Sequence, residues 1–288
     1  MTDTVSLPHE AFNGEDWAGE MGERWLANLD RFESMMEPVG SALLAHAGFA
    51  AGERVVDIGC GGGGTTVAIA REVAPSGYAL GLDVSLALVT EARRRALAQS
   101  VPSIDFITAD ASCDTPLGAP FDRAFSRFGV MFFADPPAAF AHIASLVRPG
   151  GRFDFACWTA LAQNPWMGAL ADVVRRHIDL PAPPVGVPGP FSLADEQTLR
   201  QLLQQGGWTD IRCQRWQGPQ WLGGKGATAR AAADFALQSM SFGRLVNSLD
   251  PVLRGRIEAD IVSFLDQHRS SAGIALDAAA WLVTAQRA

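Results

Sequence analysis

The run Val55-Val56-Asp57-Ile58-Gly59-Cys60-Gly61-Gly62-Gly63-Gly64 narrows the possible folds of this chain more than any other segment. Apolar, largely β-branched residues around Asp57 predict a buried strand, and the glycines after it predict a tight turn that a ligand can approach closely. Thr65 to Val73 reads as a helix whose first turn has free backbone N–H groups. Strand, glycine turn and helix start, in that order, make a nucleotide site.

The surrounding sequence repeats this rhythm. Strands are predicted at Arg54 to Ile58, Tyr78 to Asp83, Ile104 to Ala109, Asp122 to Ser126 and Arg152 to Cys157. Helices are expected between them near Leu86 to Ala98 and Pro137 to Val147, the latter capped by Asp135 and ended by Gly150-Gly151. A sixth strand at Ile211 to Trp216 and a last one near Trp281 to Ala285 complete a doubly wound, Rossmann-like α/β sheet of seven mostly parallel strands. Residues 1–50 read as a helical extension, because Trp17, Met21, Trp25 and Leu29 recur at spacing four. It either packs on the sheet as an amphipathic helix or lids its ligand edge. Residues 51–158 are the nucleotide-binding core. Residues 159–288 finish the sheet and carry helical insertions near Asp195 to Gln205, Ala229 to Met240 and Pro251 to Gln267, expected to cap the substrate. Asn164-Pro165-Trp166 and the prolines from Pro181 to Pro190 read as an irregular connection.

Composition excludes several classes. With 23 basic and 31 acidic residues the net charge is −8, which gives no footprint for nucleic acid. No apolar run reaches the roughly 18 residues that span a bilayer, and the N-terminus has no signal-peptide pattern, so a cytoplasmic protein without membrane insertion is expected. Cys60, Cys113, Cys157 and Cys213 lie far apart, which predicts free thiols and no metal site. A homo-oligomer is compatible with the sequence and is not legible in it.

Gly59 to Gly64 also satisfies G-x-G-x-x-G, the fingerprint of nicotinamide-dependent dehydrogenases. Asp57 argues against a pyrophosphate, since its charge would repel phosphates and suits a cationic ligand. Asp83 ends the second strand, where a carboxylate accepts from both ribose hydroxyls, and Asp110 ends the third, within reach of an adenine amine. An adenosine is implied.

These residues, with the segments TADAS, FDRAFSRFGVMFFADP and LVRPGGRFDFACW, resemble the class I S-adenosylmethionine-dependent methyltransferases, particularly the small-molecule enzymes of the ubiquinone/menaquinone-biosynthesis type. The resemblance implies S-adenosylmethionine as cofactor, S-adenosylhomocysteine as product and a small-molecule acceptor. It places cofactor contacts at Asp57, Gly59, Cys60, Gly61, Gly63, Asp83, Val84, Asp110, Ala111 and Ser126, with Asp57 facing the methionine amino group. A binding module that keeps this site without turnover is the alternative, ahead of a dehydrogenase.

Methyl transfer at a sulfonium needs alignment and a dry pocket more than a covalent intermediate. Phe128, Met131 and Phe132 follow the fourth strand and suit an apolar wall, with Trp158, Trp166 and the segments 160–205 and 217–280 as further candidates for the acceptor side. Asp135-Pro136-Pro137 is too far past the fourth strand for the D-P-P-aromatic motif of adenine methylation and reads as a helix start. His142, His177 and His268 are weak candidates for a general base, so no catalytic residue is assigned. Cys157 reads as buried packing.

Overall fold

The structure, a computed structural model, describes residues 17–180 and 187–288. Five strands run parallel: β1 (Arg54–Ile58), β2 (Tyr78–Asp83), β3 (Ile104–Thr108), β4 (Phe121–Arg127) and β5 (Val147–Trp158). Two long strands, β6 (Trp208–Trp221) and β8 (Gly273–Arg287), extend the sheet on the β5 side. β8 is antiparallel to both β5 and β6, and the order is β3-β2-β1-β4-β5-β8-β6. The two-residue β7 (Arg269–Ser270) pairs with β8 beside this path, so the sheet has eight strands where the sequence predicted seven.

Ten α-helices and two short 3₁₀ helices, Val130–Phe132 and Leu161–Gln163, complete the architecture among the described residues. α1 (Glu20–Ala27) and α2 (Leu29–Ala47) precede the sheet, and α3 (Gly64–Glu72), α4 (Leu86–Ala98) and α5 (Pro136–Leu146) are the crossovers. α6 (Pro165–Arg175) and α7 (Glu196–Gln205) lie between β5 and β6. α8 (Ala229–Ser239), α9 (Gly243–Ser248) and α10 (Pro251–Asp266) lie between β6 and β8. Their starts follow local chemistry: Asp135 accepts from the Ala138 N–H at 3.1 Å, and Asp195 accepts from the Thr198 N–H at 2.8 Å.

Three sequence expectations need correction. Gly150-Gly151 does not end α5, which stops at Leu146 and passes straight into β5. A Cβ on Gly151 would stand 2.5 Å from the Asp122 carbonyl, so this glycine permits strand packing. Asn164-Pro165-Trp166 begins α6 instead of an irregular connection, with Pro165 in the first turn where its missing N–H costs nothing. The N-terminal stripe is broken at Asn28 into two helices. Residues 1–16 of the N-terminal extension, and Pro181, Pro183 and Pro184 of the proline cluster, lie outside the described residues.

α2 buries Phe32, Met35, Met36, Val39 and Leu43, packs on β5, β6 and β8, and has its N-terminal half beside α3. The carboxyl ends of β1 to β4, where an open α/β sheet presents its ligand crevice, therefore lie next to α1 and α2. No described helix is long and apolar enough to cross a membrane.

Candidate functional site

A cavity of about 260 Å³ opens at those strand ends. The turn after β1 enters it through Gly59, Cys60 and Gly61. Gly59 and Gly61 have φ of +67° and +54°, a left-handed conformation that side chains disfavour. The Gly61 N–H donates to Asp83 Oδ2 and the Ser85 N–H to Asp83 Oδ1, both at 2.9 Å, so the acid at the end of β2 is tied to the glycine turn. Burial raises the Asp83 pKa, against the lowering effect of these N–H donors. Val84, Asp110 and Ala111 line the same side. The Ser112 backbone N–H and hydroxyl hold Asp110 Oδ1 at 2.8 and 2.6 Å.

The other side is aromatic. Phe128, Met131 and Trp158 line it; Phe128 stacks on Trp158 with centroids 3.9 Å apart, and the Trp158 N–H donates to the Met131 sulfur at 3.4 Å. Phe128 has φ of +66°, an uncommon state for a bulky residue. Its own N–H on Ala156 and the Gly129 N–H on Ser126 Oγ fix the turn that holds it.

Asp57 lies beneath the turn at 1% exposure. Its Oδ2 accepts from the Thr65 and Thr66 hydroxyls, each at 2.7 Å, while Oδ1 is buried with no partner. Burial pushes this carboxyl up to about 6, against the pull of the two hydroxyls and of Arg127.

Four predicted site residues do not reach the cavity wall. Asp57 braces the start of α3 from below. Gly63 is the left-handed residue before α3, and a Cβ there would meet the Phe106 ring at 2.8 Å, so it serves packing. Ser126 is fully buried and donates to the Ile58 carbonyl at 2.8 Å, joining β4 to β1. Trp166 packs behind Trp158 at 5.2 Å and donates to Asn164 Oδ1 at 3.1 Å, an anchor inside the fold instead of a substrate wall. The segments 160–205 and 217–280 contribute only Pro190 among the described lining residues.

The N-terminal helices supply what the insertions do not. Trp17, Trp25, Glu33 and Met36 line the cavity, Trp17 meets Phe132 edge-on at 4.8 Å, and Trp25 stacks on Phe32 at 3.7 Å. Spacing four gave Trp17 and Trp25 an apolar face and left open whether it packed on the sheet or lidded the ligand edge. Arg127 is another lining residue missed in the sequence; a basic residue at the carboxyl end of a strand, one before Phe128, was the available signal. The histidines lie elsewhere: His142 is 3.0 Å from the Asp114 carbonyl, His177 pairs with Asp260 at 2.8 Å, and His268 packs on Phe264. Burial pushes the Cys60 and Cys157 thiols well up, away from a reactive thiolate. Among the described residues no group of His, Cys, Asp and Glu is placed to hold a metal.

Comparison with known proteins agrees with this geometry. Residues 55–151 match the family described as a methyltransferase domain. Aklanonic acid methyltransferase DauC of a Streptomyces species (strain C5) is 31% identical over 118 residues, covering 41% of this chain and 54% of that protein. Trans-aconitate 2-methyltransferase of Acidovorax ebreus is 33% identical over 184 residues, covering 64% of this chain and 57% of that protein. The chain thus spans little more than half the length of these two relatives. Among solved structures, Haemonchus contortus phosphoethanolamine N-methyltransferase 2 in complex with S-adenosyl-L-methionine superposes with a TM-score of 0.58 at 15% identity. The superposition covers 98% of this chain and 61% of that one, and at this identity the likeness is one of fold. Residues 55–151 are thus similar to a methyltransferase domain, within a sheet of order β3-β2-β1-β4-β5-β8-β6.

Proposed function

We propose that this chain, built on a methyltransferase domain, transfers the methyl group of S-adenosylmethionine to O, N or C of a small, partly apolar molecule. The observation that carries the reading is a single cavity with acidic acceptors at one end, Asp83 and Asp110, and the stacked Phe128 and Trp158 along its side. The residues present fit the cofactor. Asp83 keeps lone pairs for ribose hydroxyls beyond its two backbone bonds, Asp110 and Ala111 frame a base, and the unpartnered Oδ1 of Asp57 favours a cation or donor nearby. When bound, S-adenosylmethionine supplies a methyl carbon activated by the adjoining sulfonium.

The protein's own residues then bind, orient and keep out water. Gly59 and Gly61 let the backbone come close to the ligand, and Phe128, Met131 and Trp158 form a wall that excludes water and attracts positive charge. With the cofactor bound, this wall would serve to hold and align its sulfonium end. Two of the relatives are named for carboxylic acids, aklanonic acid and trans-aconitate, and the third for phosphoethanolamine, so the names do not converge on one acceptor group. Acceptor choice here falls to the aromatic side between Trp17, Phe132 and Trp158.

Thermal melts test the cofactor assignment. S-adenosylhomocysteine at about 100 times its Kd adds roughly 2.7 kcal/mol to stability, a visible shift. A shift with NAD or NADP and none with the adenosyl compound defeats the proposal. Methyl transfer from labelled S-adenosylmethionine to any member of an acceptor panel separates an enzyme from a binding module.

A further inference from the structure

We infer that Arg127 and Glu33 form the site for the amino-acid end of the cofactor, Arg127 taking the α-carboxylate and Glu33 the α-ammonium; the inference rests on the cofactor reading above. The charged lining residues follow the order of the strands. Asp110 comes after β3, Asp83 at the end of β2, the glycine turn after β1 and Arg127 at the end of β4. Three strand spacings separate the first from the last, on the order of 14 Å. A ligand with its nucleoside over β2 and β3 therefore carries its far end over β1 and β4, where Arg127 is the one cationic side chain among the described lining residues. S-adenosylmethionine ends there in a zwitterion.

In this structure Arg127 Nη2 donates to Glu33 Oε2 at 2.7 Å, so the pair is arranged as a zwitterion would need to find it. Two glycines make room for the charged heads. A Cβ on Gly40 of α2 would lie 3.2 Å from Arg127 Nη1, and one on Gly64 of α3 would lie 2.9 Å from Glu33 Oε2. The pair is not locked in packed interior: a second cavity of about 360 Å³, bordered by Gly40, Gly64 and Lys225, lies on its other side and shares Glu33, Thr65 and Arg127 with the first. Guanidinium has five N–H donors, and one hydrogen bond to Glu33 leaves a face for a second carboxylate. Exchange of the Glu33–Arg127 contact for Arg127–carboxylate and ammonium–Glu33 contacts buries no unpaired charge. The unpartnered Oδ1 of Asp57 is an independent sign that this end lacks a donor, and both Arg127 and Glu33 lie near enough to Asp57 to act on its charge.

Isothermal titration with S-adenosylhomocysteine and with 5′-methylthioadenosine, which keeps the nucleoside and thioether but lacks the amino acid, tests the assignment. Wild type binds the first more tightly. Arg127→Gln weakens S-adenosylhomocysteine by roughly 10- to 100-fold and leaves methylthioadenosine within about twofold, and Glu33→Gln acts in the same sense. Equal loss of both ligands in a folded Arg127→Gln protein, or loss of neither, overturns the inference. Decarboxylated S-adenosylhomocysteine against wild type gives the same answer without a substitution: the expected affinity is close to that of methylthioadenosine, and full affinity overturns the role of Arg127. If wild type binds none of the three, the cofactor reading itself falls and this inference with it.

Discussion

Asp57 and Asp154 stand in one register row of the sheet, on β1 and β5, with Phe125 of β4 between them. Both are aspartates, both point to the same face, and both are buried, at 1% and 0% exposure. Their partners differ. Asp154 accepts from Arg123 Nη2 at 2.7 Å, from Arg152 Nη2 at 2.7 Å and from the Thr284 hydroxyl at 2.6 Å, so its charge is compensated from β4, from its own strand and from β8. Arg123 in turn donates to the Ala47 carbonyl at the end of α2. Asp57 has two hydroxyls on one oxygen, nothing on the other, and no hydrogen-bonded cation. A buried carboxylate whose partners are complete fastens the fold. One left incomplete beneath a glycine turn costs stability, and that cost is tolerated where a ligand makes use of the site.

The largest expected effect is on the complete side. Asp154→Ala removes the fully buried partner of Arg123, whose side chain is 6% exposed, and should lower unfolding free energy by about 3–5 kcal/mol in urea titration; an unchanged midpoint would remove the contrast with Asp57. Trp166→Ala extends the same test to the anchor behind Trp158. Since Trp166 is 5% exposed and tied to Asn164, it should cost about 3–5 kcal/mol of stability while the folded fraction keeps its affinity for S-adenosylhomocysteine. Loss of affinity without loss of stability would return Trp166 to the cavity wall.

Next in size is the pH dependence of Asp57. Its carboxyl holds a proton in the native state up to pH about 6, whereas the unfolded chain releases it near 3.8. Between those values the native state binds more protons, so stability falls as pH rises through the window, by about 2–3 kcal/mol in all. Asp57→Asn cannot titrate. Paired urea melts from pH 3.5 to 7.5 should show the wild type losing ground to the variant across that window, and a constant difference would mean that Asp57 ionises as it does in water. The smallest effect is on binding alone: Asp83→Ala should weaken S-adenosylhomocysteine by about 1.5–3 kcal/mol in titration calorimetry with the fold intact. An unchanged affinity would leave Asp83 as the clasp of the glycine turn and nothing more.

Legibility in the sequence was uneven for physical reasons. β1 and β2 were readable because parallel strands buried on both faces demand nearly continuous apolar runs. β6 and β8 were read as short because their signals are weak: β6 is largely exposed and contains Gly218 and Pro219, and β8 passes through Ala278-Ala279-Ala280, where burial between two strands selects small residues over β-branched ones. The acceptor side was assigned to the insertions because they hold aromatic residues left over from the sheet. The cavity wall includes Trp17 and Trp25 beside Phe128, Met131 and Trp158, and the packing of α1 on α4 and of α2 on α3 brings the N-terminal segment to it.

The strand, glycine turn and helix around Asp57, and the acidic residues Asp83 and Asp110 beside their strand ends, were legible in the sequence alone, since a strand-turn-helix unit is fixed by local backbone geometry. Which of them reach the cavity, and which brace it from below, was decided by the tertiary structure. Asp57 and Ser126 turned inward to Thr65, Thr66 and Ile58, whereas Glu33 and Arg127, 94 residues apart, met at 2.7 Å across the cavity wall. A pairing at that separation has no local signature, because it depends on where α2 lies against the end of β4, and that position follows from burying the apolar face of α2 on the far half of the sheet.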